Sequence, residues 1–257
     1  MSRKSVLILI PARFASSRFP GKPLIEIAGK SMVRRVLENA LASKTSAIDF
    51  DAFVVTDDQR IEDHIKEFSD RVLRVDDDVN SGTLRIALAY SRFFQNKKFD
   101  LIINVQGDEP LLKSADLIRL AEYHLNAPFE IATVVKKYQG FSEDFFDPNK
   151  VKVVLNEESG RAHYFSRSPI PFKRDKDGPC ELEYWYHHIG VYSYRPEALV
   201  AFSRAPISRL EELEKLEQLR ALDLGMSIGV VKTTSVIIGV DHPADLKKVE
   251  EVICGGK

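Results

Sequence analysis

The chain has 257 residues, with 37 Lys plus Arg against 38 Asp plus Glu and a formal net charge of −1. That balance offers no basic field for a nucleic acid or an anionic membrane, so small ligands are the expected partners. The length suffices for one large α/β domain, or for a domain carrying an elaborated subdomain. The apolar part of the start, MSRKSVLILIPAR, is too short for a signal h-region or a membrane span, and no later run reaches spanning length. Cys180 and Cys254 lack the neighbours of a zinc site or a redox pair. We expect a soluble cytoplasmic protein with two free thiols and no membrane insertion.

Taken in chain order, Val6 to Ile10 reads as a buried strand. The segment that follows, IPARFASSRFPGKP, puts Arg13, Arg18 and Lys22 on one loop at the strand's carboxyl end. In an open α/β sheet ligands sit beyond the carboxyl ends of the strands, and such cations can neutralise several phosphate oxygens there. The loop has neither GxxxxGK[ST] nor GxGxxG, so it is no P-loop or dinucleotide fingerprint. A solvated basic loop is the alternative, although Pro20-Gly21 and Pro23 would hold the path in place.

Ser31 opens a helix to about Ala42, with Met32, Val33, Val36, Leu37 and Ala40 on its apolar face. Ala52 to Thr56 is a second strand, with Asp57-Asp58 standing before a helix from Arg60 to Phe68. Arg71 to Val75 is a short strand, and Leu101 to Val105 a central one. At its end, Asn104-Val105-Gln106-Gly107-Asp108-Glu109-Pro110 places a carboxylate where desolvation is costly unless something positive meets it. Magnesium, which favours carboxylate and phosphate oxygens, is one such partner. A capping role for Asp108 is the other reading.

In the second half, Ile131 to Val135, Val151 to Leu155 and Gly190 to Tyr194 read as strands, and Pro169 to Tyr186 as a long loop. Arg209 to Leu224 reads as one helix, with Leu210, Leu213, Leu216, Leu219 and Leu222 as a buried stripe or a dimer seam. Ser235 to Ile238 is a last strand, followed by Asp241. The alternation of strands and helices is that of a doubly wound, mostly parallel α/β sheet. No linker long enough to separate two domains occurs, so residues 1–257 read as one domain, with about 130–225 as a subregion.

IPARFASSRFPGKPL, VVTDD, NSGTLR, INVQGDEPLL, PNKVKVV, YFSRSPIPF, HHIGVYSY, EKLEQLRAL and GVDHPADL occur in this order. Together they resemble the 3-deoxy-manno-octulosonate (Kdo) cytidylyltransferase family over about residues 6–249. The resemblance implies a nucleotide-diphospho-sugar transferase fold with a sugar-side, dimer-forming subdomain. It implies transfer of CMP from CTP to the anomeric hydroxyl of Kdo, giving CMP-Kdo and pyrophosphate for lipopolysaccharide biosynthesis, with Mg2+ and a homodimer. Arg13, Arg18 and Lys22 match the family's triphosphate loop, where they would offset charge on the leaving group. Asp108, counted with them as catalytic, and Asp241 match its metal ligands. Ala12, Arg13, Ser81, Gly82 and Gln106 fall on its nucleotide-binding positions.

On the sugar side the resemblance assigns Arg167 to the Kdo carboxylate and His188, Tyr192, Glu217 and Gln218 to its hydroxyls. Read without it, Tyr192 is core, His187 and His188 are exposed loop residues, and Glu217 is an i to i+3 partner of Arg220. Two departures stand out. Leu84 occupies the acidic place in SGT[ED]R, removing a charge beside Arg85, and DHPAD replaces DTPED at 241–245. These leave 8-amino-Kdo as an alternative sugar and a sialic-type sugar as a more distant one. A glycosyltransferase would need a metal-binding DxD, which Asp76-Asp77-Asp78 fits in spacing alone. An inactive nucleotide-binding module is the third possibility, against which the retained Arg13, Lys22, Asp108 and Asp241 argue.

Overall fold

The computed structural model describes residues 3–15, 19–79, 81–140, 142–174, 182–240 and 242–255. Arg18, Cys180 and Asp241 therefore lie outside the described residues. In chain order the elements begin with β1 (Lys4–Ala12), β2 (Glu26–Ile27), β3 (Lys30–Ser31), α1 (Met32–Leu41), β4 (Ile48–Thr56) and α2 (Gln59–Lys66). Next come β5 (Val72–Arg74), α3 (Gly82–Phe93), β6 (Leu101–Asn104), α4 (Ser114–Asn126), β7 (Ile131–Gln139), β8 (Lys152–Leu155), β9 (Ala162–Ser166) and β10 (Tyr184–Tyr194). The chain ends with α5 (Pro196–Arg204), α6 (Arg209–Glu214), α7 (Gln218–Asp223), β11 (Ile228–Thr233) and α8 (Pro243–Gly255). Two compact units arise, one from residues 1–121 with 235–257, the other from 122–234. No described helix is long and apolar enough to cross a membrane.

The first unit holds a parallel sheet in the order β6-β1-β4-β5. Val6 to Ile10 are fully buried, as expected of a strand covered on both faces. The register pairs Ala12 with Thr56, Thr56 with Arg74, and Leu9 with Asn104, so the carboxyl ends of these strands share one edge. Helices start cleanly at that edge. Ser31 caps α1 through Arg34 N–H, Asp58 caps α2 through Arg60 N–H, and Ser81 caps α3 through Leu84 N–H. The expected strand at Ser235 to Ile238 is instead irregular. Its neighbour Val240 donates its N–H to Asp108 O, and Ile238 packs with Ile27, Met32, Leu111, Val240 and Val249, so burial there comes from a loop and α8.

The second unit is mainly antiparallel. β10 pairs antiparallel with β7 and β8, β8 antiparallel with β9, and β11 parallel with β7. β10 begins at Tyr184, inside the segment expected to be loop, because Tyr184, Trp185 and Tyr186 pair with Gln139, Tyr138 and Lys137 of β7 and Trp185 and Tyr186 are buried. The single helix expected over Arg209 to Leu224 is two short ones, α6 and α7, broken at Lys215 with φ of 51°. The leucines repeat every three residues, and a strict three-residue step drifts around an α-helix instead of keeping one face. Leu213 is accordingly 69% exposed while Leu219 is fully buried.

Candidate functional site

In the first unit the described part of the cationic loop is tied to the sheet edge. Gly21, with φ of 71°, donates its N–H to Phe14 O, closing the loop, and a Cβ there would press on the Phe14 ring. Lys22 Nζ donates to Asp108 Oδ2 at 2.5 Å and to Val240 O at 2.7 Å. The expected phosphate cation and the expected metal carboxylate are thus ion-paired. Asp108 caps no helix, so the capping alternative is not what the structure contains.

Arg13 departs from β1 with Nε and Nη2 buried and without a hydrogen-bond partner among the described residues. Buried guanidinium N–H groups are costly to leave unmade, so this atom set calls for an acceptor. Its neighbour Arg85 is 1% exposed and donates to Val75 O at 2.5 Å and to Asp57 Oδ2 at 2.7 Å. Burial, and then the charge of Arg13, press the Arg85 pKa down, while Asp57 pulls the other way. The carboxylate serving Arg85 therefore comes from VVTDD, not from position 84. Asp57 and Arg85 were not among the expected site residues, although both sit in strings that carry the resemblance.

Backbone crowds together at the same edge. A Cβ at Gly82 would lie 3.0 Å from Pro11 Cγ and 3.6 Å from Gln106 Oε1, and one at Gly107 would lie 3.0 Å from Pro11 O and 3.7 Å from Ala12 Cβ. Ala12, Gly82 and Gln106 are thus brought to one place, with Ser81 at the start of α3. Asp108 is one-third exposed and offers the hard oxygen that magnesium takes, and Val240, adjacent to Asp241, is bonded to it. No group of three or more His, Cys, Asp and Glu forms a cage among the described residues.

In the second unit the YFSR arginine is anchored from three directions. Arg167 Nε donates to Glu214 O at 2.6 Å, Nη1 to Pro148 O at 2.7 Å, and the backbone N–H to Glu214 Oε2 at 2.6 Å. Lys152 is fully buried, and its Nζ joins Asp147 O at 3.0 Å to Arg167 O at 2.5 Å, clamping the PNKVK segment to β9. Burial pushes its pKa down, against the pull of Asp147. Neither residue carries a sequence signal of this supporting role, since Lys152 lies within a strand pattern and Glu214 between the leucines of a helical one.

His188 is not an exposed loop residue, and Tyr192 is buried, as the core reading of it expects. Both lie on β10 and are nearly buried, with Phe165 edge-on to His188 at 5.0 Å between ring centroids. Burial drives His188 down to about 3 and Tyr192 well above its ordinary value. Tyr192 OH donates to Gln218 Oε1 at 2.9 Å, leaving the buried Gln218 Nε2 without a partner among the described residues. The Arg220 guanidinium pairs with Glu211 at 2.6 and 2.5 Å, and the charge of Glu217 adds to the pull of Glu211 that raises its pKa.

A parallel sheet with a cationic first loop, close-approach glycines and a carboxylate at the end of β6 defines a nucleotide-binding α/β protein of the nucleotidyltransferase class. The same fold occurs in a 4-diphosphocytidyl-2C-methyl-D-erythritol synthase, 17% identical, with a TM-score of 0.63 over 98% of this chain and 99% of that one. The family model for cytidylyltransferases matches residues 7–228, and the chain belongs to that family. It is 42% identical to the 3-deoxy-manno-octulosonate cytidylyltransferase of Thermodesulfovibrio yellowstonii, over 96% of this chain and 97% of that protein. It is 40% identical to the 8-amino-3,8-dideoxy-manno-octulosonate cytidylyltransferase of a Shewanella species, over 98% and 100%. A solved CMP:2-keto-3-deoxy-manno-octonic acid synthetase complexed with CTP superposes with a TM-score of 0.86 at 34% identity, covering 99% of this chain and all of the other.

Proposed function

We propose that the protein transfers CMP from CTP to the anomeric hydroxyl of Kdo, releasing pyrophosphate and supplying CMP-Kdo for lipopolysaccharide biosynthesis. The observation that carries this is the pair of buried guanidinium nitrogens of Arg13, Nε and Nη2, which have no partner among the described residues and lie beside Arg85 at the end of β1, where an anion of the kind a triphosphate provides would satisfy them. Arg13 and Lys22, with Arg18 by resemblance, would hold the β- and γ-phosphates and offset charge growing on the leaving pyrophosphate. Ala12, Ser81, Gly82 and Gln106 would read the base and ribose. Asp108 with Asp241 would hold Mg2+, which when bound supplies Lewis-acid charge at the α-phosphate. Arg167 would grip the sugar carboxylate, and His188, Tyr192, Glu217 and Gln218 its hydroxyls.

The 8-amino sugar is the second reading, favoured by the Shewanella relatives at 40% identity. A cytoplasmic location follows from the need for CTP. Exposed Ile207, Leu213 and Leu224 support a homodimer, for which light scattering at twice the chain mass is the check. Pyrophosphate release measured with CTP, UTP, ATP and GTP against Kdo, 8-amino-Kdo and N-acetylneuraminate tests the whole assignment. CTP with an octulosonate should be fastest. Equal turnover with another base or with neuraminate would overturn it.

A further inference from the structure

β10 is irregular where it matters. Its pairing with β7 slips between Ile189 and Tyr192, and Thr133, opposite Tyr192, faces the carbonyls of the slipped residues. Thr133 is fully buried, with Oγ1 2.7 Å from Val191 O, 3.3 Å from Ile189 O and 3.0 Å from His188 Nε2. A threonine hydroxyl has one hydrogen and a carbonyl has none. Two oxygens 2.7 Å apart attract only with a hydrogen between them, so the Thr133 hydroxyl must donate to Val191 O. Only lone pairs then remain on Oγ1 toward the imidazole. The contact at 3.0 Å is a hydrogen bond only if His188 Nε2 carries the proton.

We propose that Thr133 is a positioning residue that locks His188 in its Nε2–H tautomer, so that Nδ1 accepts a hydrogen bond from a hydroxyl of the sugar acid. The proposal rests on the sugar-binding role given to His188 above. Neutrality of the ring, which the tautomer requires, follows from burial, with His187 adding to it. A fixed acceptor selects for substrates bearing a hydroxyl at that point and against fluoro or keto analogues, which have no hydrogen to give. Without the lock both tautomers compete, and the Nδ1–H fraction would offer a donor where the sugar hydroxyl meets an acceptor in the locked ring.

The test labels histidine with 15N in the full chain and reads the His188 tautomer by long-range proton–nitrogen correlation, alongside sugar and CTP kinetics. The parent and Thr133→Ser should both show the Nε2–H form. Thr133→Val should lose the single tautomer and raise the sugar KM about three- to tenfold, the scale of one neutral hydrogen bond, with the CTP KM unchanged. Thr133→Ser should restore the parental sugar KM. A parent spectrum with Nδ1–H, or a Thr133→Val protein with parental tautomer and sugar KM, would overturn the lock. If Thr133→Val does not fold, the parent tautomer alone decides. An unchanged sugar KM in His188→Ala, with the Nε2–H form present in the parent, would instead remove the sugar-binding reading while the lock itself stands.

Discussion

At the scale of single residues, pairing decides what each charge can do. Asp108 meets Lys22 at 2.5 Å while one-third exposed, so the ion pair contributes little to stability. Asp108→Asn should therefore melt within a few degrees of the parent yet lower turnover at least about a hundredfold, the loss seen when a transition-state electrostatic group is removed. Near-parental pyrophosphate release would return Asp108 to a purely structural ion pair. Arg167 is a different case, since two of its guanidinium nitrogens already hold Glu214 O and Pro148 O. Lysine cannot span both carbonyls and still present a fork to a carboxylate. Arg167→Lys should thus raise the sugar KM well beyond what the retained charge suggests. Arg167→Ala should cost about 2–5 kcal/mol in transition-state binding with CTP affinity unchanged. Loss of CTP affinity in calorimetry, with the sugar KM intact, would assign this arginine to the phosphates.

At the scale of elements, the first turn of α3 shows why Leu84 is tolerated. The acidic residue usual in SGT[ED]R would not have been the partner of Arg85, because Asp57 fills that place. Position 84 is instead the third residue of a helix capped by Ser81, whose hydroxyl accepts the Leu84 N–H at 3.1 Å. A glutamate there would complete a capping box, its carboxylate reaching back to the Ser81 N–H and facing the positive end of the helix. Leu84→Glu should stabilise the protein by about 0.5–1 kcal/mol in urea unfolding, with turnover near that of the parent. A destabilised variant would mean that Leu84 contributes packing that outweighs the missing cap. The same element view explains the split of the leucine segment. A three-residue repeat cannot keep one buried stripe, and the break at Lys215 lets Glu214 turn to Ser166 and Arg167.

At the scale of the whole molecule, stability should carry the signature of neutral buried histidines. His124 is fully buried between Ser193 and Phe129 O and is pushed down to about 4 by burial, His187 likewise to about 4, and His188 to about 3. The unfolded chain takes up these protons near pH 6.5 and the folded one does not, so stability is complete above that pH and lost as the pH falls. The slope is at most about 1.4 kcal/mol per pH unit for each of the three histidines. Between pH 6.5 and 5 carboxylates scarcely titrate, which isolates the effect. A thermal midpoint that stays level across this window would show that all three rings protonate freely in the folded state.

The sequence by itself determined the parallel nucleotide-side unit, since β1, α1, β4, α2 and β6 follow from local apolar period and side-chain caps that need no distant partner. It also determined the family, because collinear strings survive where no single motif is diagnostic. Tertiary structure decided the rest. Asp57 meets Arg85 across 28 positions, Glu214 meets Arg167 across 47, and Thr133 meets His188 across 55, separations at which no periodicity links the partners. Whether a buried arginine meets a carboxylate, as Arg85 does, or none among the described residues, as at Nε and Nη2 of Arg13, depends on which strand ends share an edge, and that is set only when the parallel strands of the first unit assemble around their core.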